Sequence, residues 1–387
     1  MDSAPEPTTG MVGFLLGAAG MFAVTYSTQA ILPQLGRAFR VSPAEAGLTI
    51  SVVVLALAGG AWIWGPLSDR FGRKRSVVLA SSLLVLPTVG AALAPTFALL
   101  LACRGLQGLC MPGLLTAGVP YITEVFAPRI GGRAMGYYVA ALVAGGLIGR
   151  VGVALLAAVI GWRWAIGVLA LFPGVAAIVM WRSMRELPVE PAPGSRREGV
   201  RRHMHNHVLL QATAAGSAFF FTFVGTFSYV VFRLERPPFR LGPAAGSLIF
   251  ALWLLGVLGP TMGRLADRLG WRRLVFCAEA LAAAGLALTL ASTLPTLIVG
   301  LACVTVANFA GVTAAQLGVA AASDVDRGTA SAVYFSVYYL VGAAGGYIPG
   351  LAWERFGWNG VAVTGWTVLA LAAAVVVAGA KRGIAYG

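Results

Sequence analysis

Three charged side chains inside long apolar segments are the residues most able to do chemistry. Arg104 lies in LACRGLQGLC, and Gln107 follows it three residues later on the same face of a helix. Arg150 lies in AGGLIGRVG, and Glu279 is the only carboxylate well inside an apolar segment. A charge in hydrocarbon is costly, so each residue is a functional candidate. The arginines could hold an anion, and the glutamate could carry a proton.

The composition indicates the kind of element that positions these residues. Of the 387 residues, 58% are hydrophobic and 11% are charged, with a mean hydropathy of +0.83. Soluble proteins carry about 25% charged residues. Apolar runs recur that are long enough, as helices, to cross a hydrocarbon core of about 30 Å. The sequence therefore predicts an all-α polytopic membrane protein.

The apolar runs and the basic residues together predict a topology. Of the 28 Lys and Arg residues, nineteen fall in the even-numbered connections, the central loop and the C-terminus, and seven fall on the other side. This distribution places both termini in the cytoplasm. The net charge of +14 is therefore explained by the topology, and we expect no nucleic-acid partner. The twelve predicted spans are 11–32, 47–66, 76–94, 97–122, 134–158, 164–182, 208–232, 244–262, 274–293, 296–321, 329–352 and 360–380.

A repeated motif indicates that the chain is built twice. GPLSDRFGRKR at 65–75 returns as GRLADRLGWRR at 263–273, with six identical positions at an offset of 198. The polar stretch 183–207 divides the spans six and six. We therefore expect two pseudo-symmetric six-helix bundles, at 1–182 and 208–387, joined by a cytoplasmic linker at 183–207.

The first copy of the motif resembles the signature loop between spans 2 and 3 of the major facilitator superfamily, and the second copy resembles its weaker counterpart. ILPQLGRAFRVSPAEAGLTIS at 31–51 and RGLQG at 104–108 are similar to the twelve-span drug–proton antiporter branch. Gly149-Arg150 departs from the Gly-Pro that is usual in that branch. The resemblance implies the major facilitator fold, with the repeated loops as a conformational latch formed by Gly65, Asp69, Arg70, Gly72, Arg73, Gly263, Asp267, Arg268 and Gly270. Gly65 and Gly72 are expected to allow a tight turn.

The resemblance also implies a central cavity lined by spans 1, 4, 7 and 10 and their neighbours. In this family the arginine of the RxxQG element faces the cavity and is tied to proton coupling, which carries over to Arg104 and Gln107. Polar and aromatic side chains at helical spacing give further cavity candidates, although such stripes are more often packing. The full set is Arg104, Gln107, Arg150, Tyr26, Gln29, Thr226, Tyr229, Asn308, Gln316, Tyr334 and Tyr338.

Alternatives stay open for the three charges. Arg104 could bond to the carbonyl of a broken helix, and Arg150 could lie near the outer end of its span and extend to solvent. Gly145 and Gly149, just before it, predict close helix packing. Glu279 is a possible proton site, but it could equally form a structural pair on the lipid side.

These residues favour a secondary active transporter that works by alternating access. The favoured activity is proton-coupled efflux of a small anionic, zwitterionic or amphiphilic organic compound, because the two arginines suggest a positive site. One alternative is an organic-anion uniporter or symporter for uptake, and another is a lipid or amphiphile flippase. The sequence predicts no enzyme, metal site or cofactor, with the proton gradient as the energy source. The expected partners are the substrate, protons and the lipid bilayer, for a monomer in a prokaryotic inner membrane.

Overall fold

The computed structural model describes residues 7–122, 125, 133–186, 206–322 and 327–384, and this described part is helical with no β-strand. Up to residue 186 the helices are α1 (Pro7–Tyr26), α2 (Leu32–Phe39), α3 (Pro43–Phe71), α4 (Arg73–Leu93), α5 (Phe97–Cys110), α6 (Pro112–Tyr121), α7 (Arg133–Leu147), α8 (Val153–Ile160), α9 (Trp162–Val168) and α10 (Leu171–Ser183). A 3-10 turn (Gln29–Ile31) precedes α2, and a π turn (Ile148–Gly152) joins α7 to α8.

The remaining helices follow residue 206. They are α11 (His207–Glu235), α12 (Pro243–Ser247), a 3-10 helix (Leu248–Leu258), α13 (Gly259–Leu269), α14 (Trp271–Leu288), α15 (Leu294–Ala321) and α16 (Arg327–Ile384). Within α16, Gly357 has non-helical angles, with φ of 59° and ψ of −144°, so this helix is two helices in series.

The described helices identify an integral membrane protein. Nine helical segments of the described residues are long and apolar enough to cross a membrane, or ten if the bent pair 243–258 and 261–269 is one span. Several of these segments join consecutive helices, as Gly10–Phe39 joins α1 and α2. The count of ten is two below the twelve predicted spans. The two helices within α16 count as one segment. Helix α14 is not counted, because its 18 residues include three charged ones, Arg272, Arg273 and Glu279. The number twelve stays a prediction.

The chain forms two compact units. The first unit comprises Met1–Arg40, Val52–Pro193 and Pro243–Phe250, and the second comprises Val41–Ser51, Gly194–Gly242 and Ala251–Gly387. The predicted linker, 183–207, falls largely outside the described residues. The predicted boundaries of two halves, at 182 and 208, therefore stay predictions.

The repeated motif is helical almost throughout. Helix α3 runs on to Phe71 and α4 begins at Arg73, so Gly72 alone makes the turn, with φ of 89°. Gly270 makes the same turn between α13 and α14, with φ of 80°. This region of φ favours glycine, which has no Cβ. The turn predicted for Gly72 is confirmed. The turn predicted for Gly65 is wrong, because the helix continues past it for six more residues.

Two arginines cap helix ends in matching ways. Arg163 donates to the carbonyl oxygens of Ala92 (3.1 Å) and Ala94 (2.7 Å), at the end of α4. Arg233 donates to those of Leu290 (3.2 Å) and Ala291 (2.8 Å), just after α14. The last carbonyls of a helix have no partner within it, and a basic side chain can supply one. Each arginine also lies over the tryptophan of a repeated Gly-Trp pair, at 161–162 and 357–358.

Candidate functional site: a break in the first helix

The site in the first unit is built around an interruption of the first helix. Helix α1 ends at Tyr26, and the chain makes the 3-10 turn Gln29–Ile31 before α2 begins. The carbonyl oxygen of Val24 accepts from Ser27 N at 3.3 Å and from Ser27 Oγ at 2.9 Å. The carbonyls of Val24 and Thr25 both also accept from donors on another helix. Broken helices at membrane depth are tolerated where neighbouring groups satisfy the backbone.

Arg104 supplies those donors from α5. Its Nη1 donates to the carbonyl oxygen of Val24 at 2.8 Å, and its Nη2 donates to that of Thr25. Nη1 also donates to Oε1 of Gln107 at 2.7 Å, whose amide nitrogen donates to Thr88 Oγ1 at 3.1 Å. Arg104 is 1% exposed. The bond to a broken-helix carbonyl, which the sequence left open as an alternative, is thus present, while proton coupling by Arg104 stays a prediction.

Arg150 approaches the same break from the π turn. Its Nε donates to Oε1 of Gln29 at 2.7 Å, and its Nη1 donates to the carbonyl oxygen of Gly146 at 3.1 Å. Its guanidinium carbon lies 3.8 Å from the centroid of the Tyr26 ring and 5.7 Å from that of Phe250. The side chain is 1% exposed, so it does not extend to solvent. Single π turns inside helices occur frequently at functional sites.

Glycines of the α7 segment bring Arg150 against the first helix. A Cβ added at Gly145 would lie 2.6 Å from Cα of Ala19, and one added at Gly149 would lie 2.7 Å from Cα of Ala23. Real Cβ atoms essentially never come so close. The close helix packing predicted for Gly145 and Gly149 is confirmed, and it carries Arg150 to Tyr26 and Gln29.

The first unit therefore gathers five of the predicted residues at one place. Arg104 holds the broken backbone and is itself bonded to Gln107, and Tyr26, Gln29 and Arg150 form what we call the Arg150 cluster. Guanidinium groups present a planar array of donors that suits carboxylate and phosphate groups. Chemically, the site can stabilise a negative charge.

The candidates of the second unit lie in several places. Tyr229 is fully buried and its hydroxyl donates to the carbonyl oxygen of Gly346 at 2.6 Å, which is a packing contact between α11 and α16. Thr226 is buried on the same helix. Tyr338 stacks on Phe220, with ring centroids 4.3 Å apart.

Three further candidates belong to the same unit. Asn308 is buried, and its Oδ1 has no hydrogen-bond partner among the described residues. Gln316 and Tyr334 line one cavity between α15 and α16. The cavity role of the second-unit candidates stays a prediction.

Glu279 lies in the core of the second unit. The side chain is 6% exposed, and Ala278 and Ala282 beside it on α14 belong to the buried hydrophobic core. Neither carboxyl oxygen has a hydrogen-bond partner among the residues that the structure describes. A structural pair, which the sequence left open, is therefore not formed within that part of the chain.

Comparison with known proteins identifies the family. The profile of the Major Facilitator Superfamily matches residues 14–259. The chain belongs to the major facilitator superfamily. It is similar to the MFS-type transporter YybF of Bacillus subtilis, with 29% identity over 92% of this chain and 90% of that protein. It is also similar to the inner membrane transport protein YnfM of Escherichia coli, with 28% identity over 90% of this chain and 86% of that one.

A solved structure shows the same fold. It is a bacterial homologue of the human lysosomal transporter Spinster, in an inward-facing and occupied conformation, with a TM-score of 0.80 and 17% identity over 96% of both chains. As a major facilitator transporter, this protein moves a small molecule across a membrane in which it is embedded, and it is not an enzyme.

The latch predicted for this major facilitator protein is described only in part. Arg70 is exposed and lies over the ring of Phe71, and Asp267 and Arg268 are exposed on α13. The side chain of Asp69 lies outside the part that the structure describes. The latch role of the nine motif residues stays a prediction.

Sequence reasoning missed several parts of the site. Phe250 gives no signal, because it is one aromatic residue in an apolar run. The π turn gives none either, since GLIGRVG continues an ordinary helical pattern. Thr88 could have been found as a polar residue inside span 3.

Proposed function

We propose that this transporter exports a small organic compound that carries a negative charge, as an anion, a zwitterion or an anionic amphiphile, in exchange for protons. It acts by alternating access, as a monomer in a bacterial inner membrane with both termini in the cytoplasm. The inner membrane location accords with the name of the relative YnfM. The observation that supports the negative charge most strongly is the Arg150 cluster.

A buried guanidinium charge carries a large cost in free energy. Removing a charge from water is expensive unless an opposite charge or several good hydrogen bonds compensate. The contacts of Arg150 include an amide oxygen, a carbonyl oxygen and two aromatic rings. An anionic group of the substrate would compensate further. Charge-assisted hydrogen bonds of this kind contribute about 1.5–3 kcal/mol.

Glu279 is our candidate for the proton carrier. An ionised carboxylate is costly to bury without a donor, and its oxygens have no partner among the described residues. The free-energy cost of burying this carboxyl group is therefore lowest when it is the neutral acid. Deprotonation would require water or a rearrangement of α14, which would link protonation to a conformational change.

Flux in proteoliposomes tests the proposal. The purified protein is reconstituted, and uptake of a panel of labelled organic anions, with ethidium as the cation, is measured with and without an imposed pH gradient. We expect gradient-driven movement of at least one anion, and a rate at least tenfold lower in Arg150→Gln, because the substitution removes the charge-assisted bond. The matched control is Arg355→Gln, which removes an exposed arginine.

The same assay separates the alternatives. Anion movement that requires no pH gradient would indicate a uniporter for uptake. Anion movement in the same direction as the protons would indicate a symporter for uptake. Movement of a labelled phospholipid between leaflets, without flux of any soluble anion, would indicate a flippase. Selective, gradient-driven movement of ethidium that Arg150→Gln leaves unchanged would contradict the proposed substrate charge.

A further inference from the structure

The 3-10 helix Leu248–Leu258 is unusually long. It has 11 residues, whereas 3-10 runs of more than about three or four residues are uncommon, because their hydrogen bonds have poorer geometry than those of an α-helix. Pro260 follows in the sequence, but a proline interrupts an α-helix only in the turn before it. The local sequence therefore gives no reason for the first turns to be 3-10, and contacts with other helices must hold them in that form.

The exposure of the side chains repeats every third residue along this helix. Up to residue 257 the exposed positions are Leu248, Ala251, Leu254 and Val257. A 3-10 helix has three residues per turn, so every third residue lies on one line along its surface. In an α-helix, two residues that are six positions apart would instead lie about 120° apart around the axis. The surroundings of this helix thus fit three residues per turn.

Ring contacts follow a second line of residues at the same spacing. The ring centroid of Phe250 lies 5.7 Å from the guanidinium carbon of Arg150. The ring of Trp253 lies 5.2 Å from that of Phe309, and a Cβ added at Gly256 would lie 2.6 Å from Cζ of Phe309. A contact between a cation and a ring is strongest when both are shielded from water, and Phe250 and Arg150 are each 1% exposed. These contacts can hold residues 250, 253 and 256 on one side of the helix.

We propose that this 3-10 helix is a strained element, held by the contact between Arg150 and Phe250, that relaxes towards an α-helix when the contact is lost. The rise per residue is about 2.0 Å in a 3-10 helix and about 1.5 Å in an α-helix, so each residue that converts would shorten the element by about 0.5 Å and turn the following chain by about 20°. The following chain is α13, which carries Asp267 and Arg268 of the second motif copy.

The relaxation links the Arg150 cluster to the motif through the chain itself. Any group that draws the guanidinium of Arg150 away from Phe250 would shorten the 3-10 helix and shift α13. That the anion of the substrate is such a group rests on the proposed function. The relaxation itself does not depend on the charge of the substrate.

Electron paramagnetic resonance of paired nitroxide labels distinguishes the two kinds of helix. The four native cysteines are replaced by alanine, and labels are attached to Ala251→Cys together with either Leu254→Cys or Leu255→Cys. In a 3-10 helix the pair three residues apart lies on one line and shows the stronger dipolar coupling. In an α-helix residues three and four apart are both neighbours, so the two couplings are similar. We expect the stronger 251/254 coupling in the parent, and loss of that difference in Arg150→Gln and in Phe250→Leu.

Arg355→Gln is the matched control and should keep the stronger 251/254 coupling. Phe250→Leu carries the test if Arg150→Gln does not fold, because leucine keeps the position apolar. Similar couplings in the parent, or a difference that survives in both variants, would overturn the proposal. A change in Phe250→Leu without one in folded Arg150→Gln would overturn the part assigned to Arg150. The measurement uses no substrate, so its failure and the failure of the proposed function are distinguishable.

Discussion

Replacing Gly149 by alanine should destabilise the first unit, although alanine is the better helix former. The new Cβ would lie 2.7 Å from Cα and 2.8 Å from the carbonyl carbon of Ala23. Optimal separations between carbon atoms are about 3.5–4.0 Å, so the two helices would have to move apart by roughly 1 Å. Backbone atoms give way poorly, and overpacking of this kind costs about 1–3 kcal/mol.

Gly136 provides a matched control on α7. A Cβ added there meets no atom within 4 Å, so Gly136→Ala gains helix propensity without strain. That gain is about 1 kcal/mol at most, and it is common to both substitutions. The difference between the two variants therefore isolates the strain, and we expect Gly149→Ala to be less stable than Gly136→Ala by about 1–3 kcal/mol.

The assay is thermal denaturation of the purified protein in detergent, followed by loss of the monodisperse peak in size-exclusion chromatography. Gly149→Ala should lower the midpoint below that of the parent, and Gly136→Ala should leave it unchanged or raise it. Because the strain falls between Ala23 and residue 149, directly before Arg150, Gly149→Ala should also reduce anion flux. Equal midpoints for the two variants would refute the close packing of Gly149, in the π turn after α7, against the first helix.

Three further predictions concern the second unit. Arg233→Gln should lower the denaturation midpoint, with a loss of about 1–3 kcal/mol in stability, because the carbonyls at 290 and 291 lose their donor. The control Arg355→Gln changes a surface residue and should leave the midpoint unchanged. Gly216→Ala should destabilise the second unit, because its Cβ would lie 2.9 Å from Cε2 of Tyr334 and still closer to the hydroxyl. Adding Tyr334→Phe to the same chain should restore part of the lost stability. Strictly additive midpoint shifts would exclude that contact. Glu279→Gln should retain exchange of labelled for unlabelled substrate but lose its acceleration by a pH gradient in proteoliposome flux; unchanged acceleration would remove Glu279 from the proton path.

The elements that the sequence predicted well follow from strong, local physical signals. Long apolar runs gave most of the helices, because burying a helix in hydrocarbon requires about 20 apolar residues. The repeated glycines at 72 and 270 marked the turns, since both adopt a φ that side chains disfavour. Gly145 and Gly149 marked a close helix contact for a similar reason, because no Cβ fits there.

The parts that the sequence did not predict depend on tertiary contacts. The break after Tyr26 lies in TYSTQAIL, directly before Pro33, whose missing N–H and bulky ring interrupt a helix in the preceding turn. It is compatible with the membrane because Ser27 and, about 80 residues away, Arg104 donate to its carbonyls. Pattern reasoning placed Arg104 in a cavity and listed the carbonyl bond only as an alternative. The neighbours of Arg150 could not be derived either, because Phe250 lies 100 residues away in the sequence.

The charge of the substrate is the central claim, and equilibrium binding tests it without relying on coupling or on orientation in a membrane. The measurement is the Kd of the labelled organic anion that the parent transports fastest, for the parent, Arg150→Gln and Arg355→Gln in detergent at one pH. We predict a Kd about ten to a hundred times higher in Arg150→Gln alone, because that variant loses one charge-assisted bond. A Kd that is the same in all three proteins would contradict it.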